Sequence, residues 1–190
     1  MLTSLPNILT LSRIAAIPLL LALIYVDTPF YRWIAFAGYV MACVTDYFDG
    51  YLARHMNQIS PLGRFLDPIA DKLLVATLIV MLVATQEIAG LAVIPAIIIL
   101  AREILVSGLR EYLAEIKVSV PVTRLAKWKT GIQMIALGFL IVGDAGAAFL
   151  PVSLIGEIGL WVAGILTAVT GYDYLSRGLK HMVGQENAGQ

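Results

Sequence analysis

The 190-residue chain is poor in charged residues, which make up 14% of it, and it has only one cysteine and two histidines. A water-soluble domain carries about 25% charged residues, so this composition excludes an ordinary soluble fold. The single Cys43 cannot form a disulfide within the chain. No Walker-type glycine loop, GxSxG elbow or CxxC pair occurs. P-loop, serine-hydrolase and dithiol chemistry therefore have no motif here.

Apolar residues fill the chain instead, at 59% of the sequence and a mean hydropathy of +0.86. A membrane-spanning helix needs about 20 mostly apolar residues. Runs of this kind predict six helices, at Ile8–Val26, Tyr31–Leu52, Phe65–Gln86, Leu91–Leu113, Ala126–Val142 and Phe149–Leu175. We therefore expect an all-α integral membrane bundle of six transmembrane helices. One catalytic domain would span residues 1–183, followed by a polar, disordered tail at 184–190.

The basic residues are distributed unevenly along the chain. Of 13 Lys and Arg residues, only Arg32 falls in a connection that we assign to the outside. The outside connections instead carry the acidic residues Asp27, Glu87 and Asp144. The positive-inside rule then predicts that both termini, together with the second and fourth connections, are cytoplasmic.

Acidic residues mark the cytoplasmic ends of the second and third predicted helices. Two helical stripes combine carboxylates with small residues: Asp46, Asp49 and Gly50 on one, and Gly63, Asp67 and Asp71 on the other. Four unpaired aspartates at the bilayer centre would cost on the order of 10 kcal/mol, which favours a functional site. A surface ion-pair belt with Arg54, Arg64 and Lys72 is the alternative, but it does not account for the spacings backed by glycines.

The ligand types in this segment predict which ions it could bind. Carboxylate oxygens without nearby His or Cys select hard cations such as Mg²⁺, Mn²⁺ or Ca²⁺. Two such ions bridged by carboxylates suit phosphoryl transfer.

An arginine lies well inside the first apolar helix. Arg13 follows Thr10 by three residues, so both are on one face. The arginine could snorkel from a capped helix start, yet its insertion into the bilayer centre costs about 3 kcal/mol. We therefore expect Arg13 to have a partner.

The segment from Asp46 to Asp71 reads D-x-x-D-G-x-x-A-R, eight residues, G-x-x-x-D-x-x-x-D. It resembles the signature of the CDP-alcohol phosphotransferases and meets every defining position. The opening P-N-I-L-T-L-S-R, the run A-R-E-I-L-V-S-G-L-R from Ala101 and K-W-K-T from Lys127 are similar to bacterial members that use glycerol 3-phosphate. The resemblance implies six transmembrane helices in the bacterial cytoplasmic (inner) membrane, usually as a homodimer, with a polar cavity open to the cytoplasm.

The resemblance also implies a reaction and site residues. CDP-diacylglycerol and sn-glycerol 3-phosphate would give phosphatidylglycerophosphate and CMP. Two divalent cations, Mg²⁺ or Mn²⁺, would be bound by Asp46, Asp49, Asp67 and Asp71, and Asp71 would also act as general base. The residues expected to bind CDP-diacylglycerol are Asn7, Thr10, Gly50, Arg54 and Ser60.

The acceptor would be held by cations on the fourth and fifth helices. Arginine offers a planar fork to phosphate and lysine a point charge. We expect Arg102, Arg110 and Lys127 to bind glycerol 3-phosphate, with Lys129 as a further candidate. Positive-inside charge is the alternative explanation for cations in these helices.

Other functions fit parts of the same pattern. The motif is shared by enzymes with other acceptors, namely inositol phosphate, serine or phosphatidylglycerol. A divalent-cation transporter could also use four aspartates, but transporters tend to carry internal repeats, and the acidic pattern occurs once here. The expected partners are the two substrates and membrane lipid, with no nucleic acid.

Overall fold

The structure, a computed structural model, describes residues 5–55, 61–116, 118, 124–146 and 150–188. Over these residues it has no β-strand. Its α-helices are α1 (Leu5–Val26), α2 (Pro29–His55), α3 (Pro61–Ala84), α4 (Val93–Glu115), α5 (Arg124–Val142) and α6 (Val152–Ala188). Short 3₁₀ turns lie at Gly90–Ala92 and Gly143–Gly146. The all-α class and the six helices are confirmed, and α6 extends into the segment 184–190 for which we expect a tail.

Within the described residues, four helical segments are long and apolar enough to cross a membrane. They are Asn7–Val26, Gly90–Glu115, Leu125–Gly146 and Val152–Leu179. The chain thus has the helices of a multi-pass membrane protein, whereas the predicted count of six spans is not confirmed. The two remaining helices, α2 and α3, carry the charged residues of the aspartate motif.

Large apolar side chains are exposed along several of these helices, among them Leu19, Ile104 and Ile165 at 63%, 73% and 59%. Exposed apolar side chains in such number are unfavourable in water and indicate contact with lipid or another apolar partner.

The chain divides into two compact units. Unit 1 comprises Met1–Ala89 and Leu137–Gly156, and unit 2 comprises Gly90–Ala136 and Glu157–Gln190.

In unit 1, α1 packs against both α2 and α3. Its buried residues Ile17, Leu20 and Ile24 follow one another at helical spacing, as the apolar face of a packed helix does. Gly38 of α2 allows close approach, because a Cβ there would lie 2.7 Å from Leu20 Cδ2. This packing places the side chains of α1 against the two helices that carry the aspartates.

A group of charged side chains joins the N-terminal end of α2 to its neighbours in unit 1. We call Arg32, Asp27, Glu87 and the Ile141 carbonyl the Arg32 cluster. The Arg32 guanidinium is 3% exposed and contacts Asp27 Oδ1 at 2.6 Å and Glu87 Oε1 at 2.8 Å. It also donates to the Ile141 carbonyl at 3.3 Å. One buried cation thus links the connections at the ends of α1, α3 and α5.

The backbone around this cluster is shaped to fit it. Gly143 has a φ of +50°, and a Cβ there would lie 2.7 Å and 2.9 Å from the two Glu87 carboxylate oxygens. Glycine avoids both the left-handed strain and this collision.

In unit 2, glycines of α6 receive side chains of α4 and α5. A Cβ at Gly164 would lie 2.6 Å from Pro95 Cβ, and one at Gly159 would lie 2.9 Å from Ala136 Cβ. Further along, Val106, Leu109, Leu113 and Tyr174 form a buried apolar cluster. Glycine interfaces of this type let helices approach closely where lipid supplies no hydrophobic drive.

Candidate functional site

The acidic motif lies on two helices of unit 1. Asp46 and Asp49 are on α2, and Asp67 and Asp71 are on α3, one helical turn apart. Gly50 and Arg54 continue α2, which ends at His55. The structure describes the backbone of Asp49 and Arg54 but not their side chains. Ser60, which is also predicted to bind the nucleotide, lies outside the described residues.

The buried face of α1 reaches both acidic helices. Asn7, Thr10 and Arg13 follow one another at three-residue steps and are 1%, 1% and 4% exposed. Side chains at this spacing are neighbours on a helix, with Cβ atoms about 5–6 Å apart. A polar face on an otherwise apolar helix is thus directed into unit 1 rather than towards lipid.

Two contacts connect this face with the motif. Arg13 Nη1 pairs with Asp46 Oδ1, and the Thr10 hydroxyl donates to Asp67 Oδ1 at 2.8 Å. The expectation of a partner for Arg13 is confirmed, and the partner is the carboxylate of Asp46. Because Thr10 and Arg13 are neighbours on α1, their contacts bring a carboxylate of α2 and a carboxylate of α3 to adjacent positions. We call Thr10, Arg13, Asp46, Asp67 and Asp71 the carboxylate site.

The two partners of the ion pair differ in exposure. The Arg13 side chain is 2% exposed, whereas that of Asp46 is 40% exposed. Asp67 is exposed and Asp71 half-buried. The buried Arg13 guanidinium therefore orients Asp46, while much of the carboxylate remains accessible to a ligand.

The chemistry of the carboxylate site fits hard divalent cations. All its acidic donors are carboxylate oxygens, the ligands that Mg²⁺ and Mn²⁺ prefer. Among the described side chains, no three acidic, histidine or cysteine groups are gathered closely enough to hold a metal ion. Asp49, the fourth predicted ligand, has its side chain outside that set. The donor types fit such ions, and the fourfold ligand set stays a prediction.

The predicted acceptor cations lie in unit 2, and two of them share one carboxylate. Lys129 is 2% exposed, and its Nζ pairs with Glu103 Oε1. Arg102 Nη1 contacts the same oxygen at 3.2 Å. We call Arg102, Glu103 and Lys129 the Glu103 triad. With two cations and one carboxylate, the triad carries a formal charge of +1.

The other two predicted acceptor cations have different surroundings. Arg110 is exposed and lies over the Tyr174 ring, with 5.8 Å between its guanidinium carbon and the ring centroid. Lys127 is exposed on the first turn of α5.

Buried polar atoms accompany the triad in unit 2. Arg102 Nε, Gln133 Oε1 and Thr167 Oγ1 are buried without a hydrogen-bond partner among the described residues. Gln133 follows Lys129 by one helical turn, and the residues themselves are 2% and 0% exposed for Gln133 and Thr167. Buried polar atoms without partners are rare in proteins, so each of these is a position where water or a ligand could bind.

Several of these participants are not predicted from the sequence. The sequence indicates a partner for Arg13 without identifying it or placing Arg13 in the site, and it indicates no role for Glu103, Gln133 or Thr167. Polar residues inside apolar helices were the available signal, since such residues are costly unless partnered.

Comparisons with known proteins agree with the motif. The family profile for CDP-alcohol phosphatidyltransferase matches residues 3–169. A Rickettsia bellii protein named CDP-diacylglycerol–glycerol-3-phosphate 3-phosphatidyltransferase is 50% identical over 171 residues, which are 90% of this chain and 93% of the relative. A Cereibacter sphaeroides protein of the same name is 35% identical, over 94% of this chain and 97% of its own length.

A plant relative carries a different name. The Oryza sativa protein named cardiolipin synthase (CMP-forming) is 42% identical over 74% of this chain, but the match covers only 46% of that relative. Since the family profile spans most of the sequence and two relatives match over nearly their full length, this chain belongs to the CDP-alcohol phosphatidyltransferase family.

Proposed function

We propose that this protein transfers the phosphatidyl group of CDP-diacylglycerol to sn-glycerol 3-phosphate, forming phosphatidylglycerophosphate and releasing CMP. The choice of substrates is supported by the names of relatives that match over nearly their full length. The single structural observation that carries the chemistry is the pair of contacts from α1, which orients Asp46 and Asp67 while both stay accessible.

The four aspartates of the motif are the proposed ligands of two divalent cations, Mg²⁺ or Mn²⁺: Asp46, Asp49, Asp67 and Asp71. Such cations, when bound, neutralise the charge of the diphosphate and of the departing phosphate. The chain itself supplies the orientation. Arg13 limits the directions in which Asp46 can point, and the Thr10 hydroxyl does the same for Asp67.

The CDP group is proposed to bind beside these aspartates, through Asn7, Thr10, Gly50, Arg54 and Ser60. Asn7 and Thr10 are buried on the face of α1 that contacts the motif. Because the Thr10 hydroxyl donates a hydrogen bond to Asp67, we propose that Thr10 acts on the nucleotide through that carboxylate. Gly50 offers a bare backbone that a bulky ligand can approach.

The acceptor phosphate is proposed to bind the cations of unit 2, which are Arg102, Arg110, Lys127 and Lys129. A phosphate dianion would complement the +1 charge of the Glu103 triad and offers acceptors to the donors of Arg102. Acceptor hydroxyls suit the unpartnered oxygens of Gln133 and Thr167, since each can accept a hydrogen bond.

The reaction then needs one proton transfer and one displacement. Asp71 is the proposed general base, which takes the proton from the acceptor hydroxyl. The acceptor oxygen forms a bond to the lipid-side phosphorus, and the bond from that phosphorus to the CMP oxygen breaks. CMP leaves with the electron pair of that bond. Asp71 follows Asp67 by one helical turn, so the base and a ligand carboxylate lie on one face of α3.

The proposed setting is the bacterial cytoplasmic (inner) membrane, with both termini and the active site in the cytoplasm. The positive-inside distribution of Lys and Arg supports this orientation. Membrane lipid and a second copy of the chain are the proposed neighbours.

A second candidate is cardiolipin synthesis, in which phosphatidylglycerol would be the acceptor. The plant relative of that name favours it, although the match covers under half of that protein. The group of cations in unit 2 favours a free phosphate-bearing acceptor instead, since phosphatidylglycerol brings only a diester.

The deciding experiment presents the purified protein with CDP-diacylglycerol and one acceptor at a time, and measures CMP release. The acceptors are glycerol 3-phosphate, phosphatidylglycerol, inositol phosphate and serine. Of the four acceptors, we expect only glycerol 3-phosphate to give rapid CMP release. Release with another acceptor and none with glycerol 3-phosphate would refute the proposed substrate.

A further inference from the structure

Three contacts between α4 and α6 in unit 2 repeat at seven-residue intervals. The glycines Gly164, Gly171 and Gly178 face Pro95, Arg102 and Leu109, respectively. Seven residues are close to two helical turns, so the glycines share one face of α6 and their partners one face of α4. Two of the three partners are apolar and the middle one is an arginine.

The middle contact is nearly as close as the other two. A Cβ at Gly171 would lie 2.8 Å from Arg102 Cγ, and one at Gly178 would lie 2.7 Å from Leu109 Cδ2. The Gly171 position is also 3.8 Å from Arg102 Cβ and 3.9 Å from its Nε. The aliphatic part of the Arg102 side chain therefore packs directly against the α6 backbone at Gly171, and a methyl group at position 171 would clash with it.

One polar contact also restrains Arg102. Its hydrogen bond within the described part of the chain is the one from Nη1 to Glu103 Oε1, at 3.2 Å. Its Nε is buried and has no partner there. A long arginine side chain loses considerable rotamer entropy when it is held in one conformation. Packing of its stem against Gly171 therefore acts together with the Glu103 ion pair to limit the directions that the side chain can take.

From this geometry we infer that Gly171 is a positioning residue for glycerol 3-phosphate binding, which acts by holding Arg102 against α6. The inference rests on the proposed function, in which Arg102 binds the acceptor phosphate. Gly171 touches neither substrate in this scheme. Its contribution is the space that lets the guanidinium keep one direction before the acceptor arrives, which reduces the entropy lost on binding.

The chain supplies a matched control for the test. Gly171→Ala and Gly178→Ala introduce the same methyl group on the same face of α6, at nearly equal distances from an α4 side chain. Only the first displaces a proposed acceptor ligand. For each variant, CMP release is measured against glycerol 3-phosphate and, separately, against CDP-diacylglycerol, which yields a KM for each substrate and a kcat.

We expect Gly171→Ala to raise the KM for glycerol 3-phosphate about tenfold, the effect of weakening one charge-assisted hydrogen bond. The KM for CDP-diacylglycerol should stay within about twofold, and Gly178→Ala should leave both KM values within about twofold, because Leu109 is an apolar residue and not itself a proposed ligand. In an Arg102→Ala background, Gly171→Ala should have no further effect on the acceptor KM, as expected when one residue acts through another.

An unchanged acceptor KM in Gly171→Ala would overturn the inference, and so would equal increases in Gly171→Ala and Gly178→Ala. Arg102→Ala alone separates this failure from a failure of the proposed function. If Arg102→Ala raises the acceptor KM and Gly171→Ala does not, only the role of Gly171 is refuted. If Arg102→Ala leaves it unchanged, the proposed acceptor site is refuted and the role of Gly171 with it.

KM does not depend on the amount of folded enzyme, so a lower yield leaves the comparison valid. If Gly171→Ala does not accumulate, its yield is compared with that of the double variant that also carries Arg102→Ala. Recovery of the folded protein would support the contact, because the shorter side chain leaves room for the methyl group. No recovery would overturn it.

Discussion

Helix α2 has an arginine–carboxylate group near each end, and the two groups differ in how completely the protein encloses them. Near the N-terminal end, Arg32 contacts Asp27, Glu87 and the Ile141 carbonyl. About 20 Å further along, at 1.5 Å per residue, Asp46 pairs with Arg13 of α1. Both arginines are almost fully buried, at 3% and 4%.

The difference lies between Glu87 and Asp46, since Asp27 of the Arg32 cluster is itself 61% exposed. Glu87 is only 15% exposed, and the Gly143 backbone packs directly against it. Asp46 is 40% exposed, and Asp67 beside it is exposed as well. A carboxylate that its own chain encloses contributes to stability. A carboxylate that a buried arginine orients, and that remains accessible on its other side, can bind a ligand. The comparison therefore assigns stability to the Arg32 cluster and chemistry to the carboxylate site.

The largest expected effect comes from the motif itself. Asp67→Ala and Asp49→Asn should each lower turnover by about a thousandfold or more, because each removes a proposed ligand needed to stabilise transition-state charge. CMP release measures the activity, and size-exclusion chromatography in detergent checks the fold. Asp144→Asn, at the other end of unit 1, is the control and should keep wild-type activity. Retained turnover in Asp67→Ala would contradict the ligand assignment.

Removal of divalent cations should lower turnover to a similar extent. It should have little effect on the stability that the Arg32 cluster contributes. After dialysis against a chelator, CMP release should cease, and Mg²⁺ or Mn²⁺ should restore it. Ca²⁺ serves as a comparison, since its larger and more flexible coordination differs from that of the smaller ions. Undiminished activity in the chelated protein would refute a metal-dependent reaction.

The two arginines provide the sharpest test of the comparison. Arg32→Gln should lower the free energy of unfolding by about 2 kcal/mol, since it leaves the mostly enclosed Glu87 without its cation. The kcat of the folded fraction should stay near wild type. Arg13→Gln should act in the opposite way, with turnover reduced roughly 10- to 100-fold through misdirected Asp46, and only about 1 kcal/mol of stability lost because Asp46 can be hydrated.

Denaturation in detergent micelles and CMP release, measured on both variants, give the two quantities. A loss of kcat in Arg32→Gln as large as that in Arg13→Gln would show that the two ends of α2 are not separate in function.

The smallest expected effect is the pH dependence of the Arg32 cluster. Burial raises the pKa of Glu87 above its ordinary value of 4.5, the carboxylates of Asp144 and Asp27 add to the rise, and Arg32 offsets it only in part. Between 4.5 and the raised value, folded Glu87 keeps a proton that the unfolded chain has released. The stability contributed by Glu87 is therefore complete below pH 4.5 and is lost as the pH rises through the folded-state pKa.

Glu87→Gln removes this titration. Melting temperatures of the wild type and the variant, measured from about pH 4 to pH 7, should diverge with rising pH as the wild type loses its contribution. Parallel curves would mean that the pKa of Glu87 is the same in the folded and unfolded states.

Much of the fold could be predicted from local patterns. The six helices follow from the lengths of the apolar runs, and α5 ends at Val142 as expected. Proline explains one boundary, since Pro29 begins α2 immediately after α1 ends. The count of membrane spans was less accessible, because α2 and α3 combine apolar and charged residues.

The site could be predicted in kind but only partly in its contacts. The spacing of Asp46, Asp49, Asp67 and Asp71 identified the family and the type of chemistry. The cost of an arginine in an apolar helix predicted a partner for Arg13, yet nothing local pointed to Asp46. The bridging role of Glu103, between two cations that lie on different helices, was likewise not predicted.

Helix positions and the aspartate motif are properties of short segments, because 20 apolar residues favour a helix in lipid wherever they occur. The pairings of Arg13 with Asp46, Arg32 with Glu87 and Arg102 with Gly171 join positions 33, 55 and 69 residues apart. Such pairs depend on how helices pack and on which small residues let them approach. Packing in three dimensions therefore decides which carboxylate is enclosed and which remains accessible. Local sequence patterns do not show this distinction.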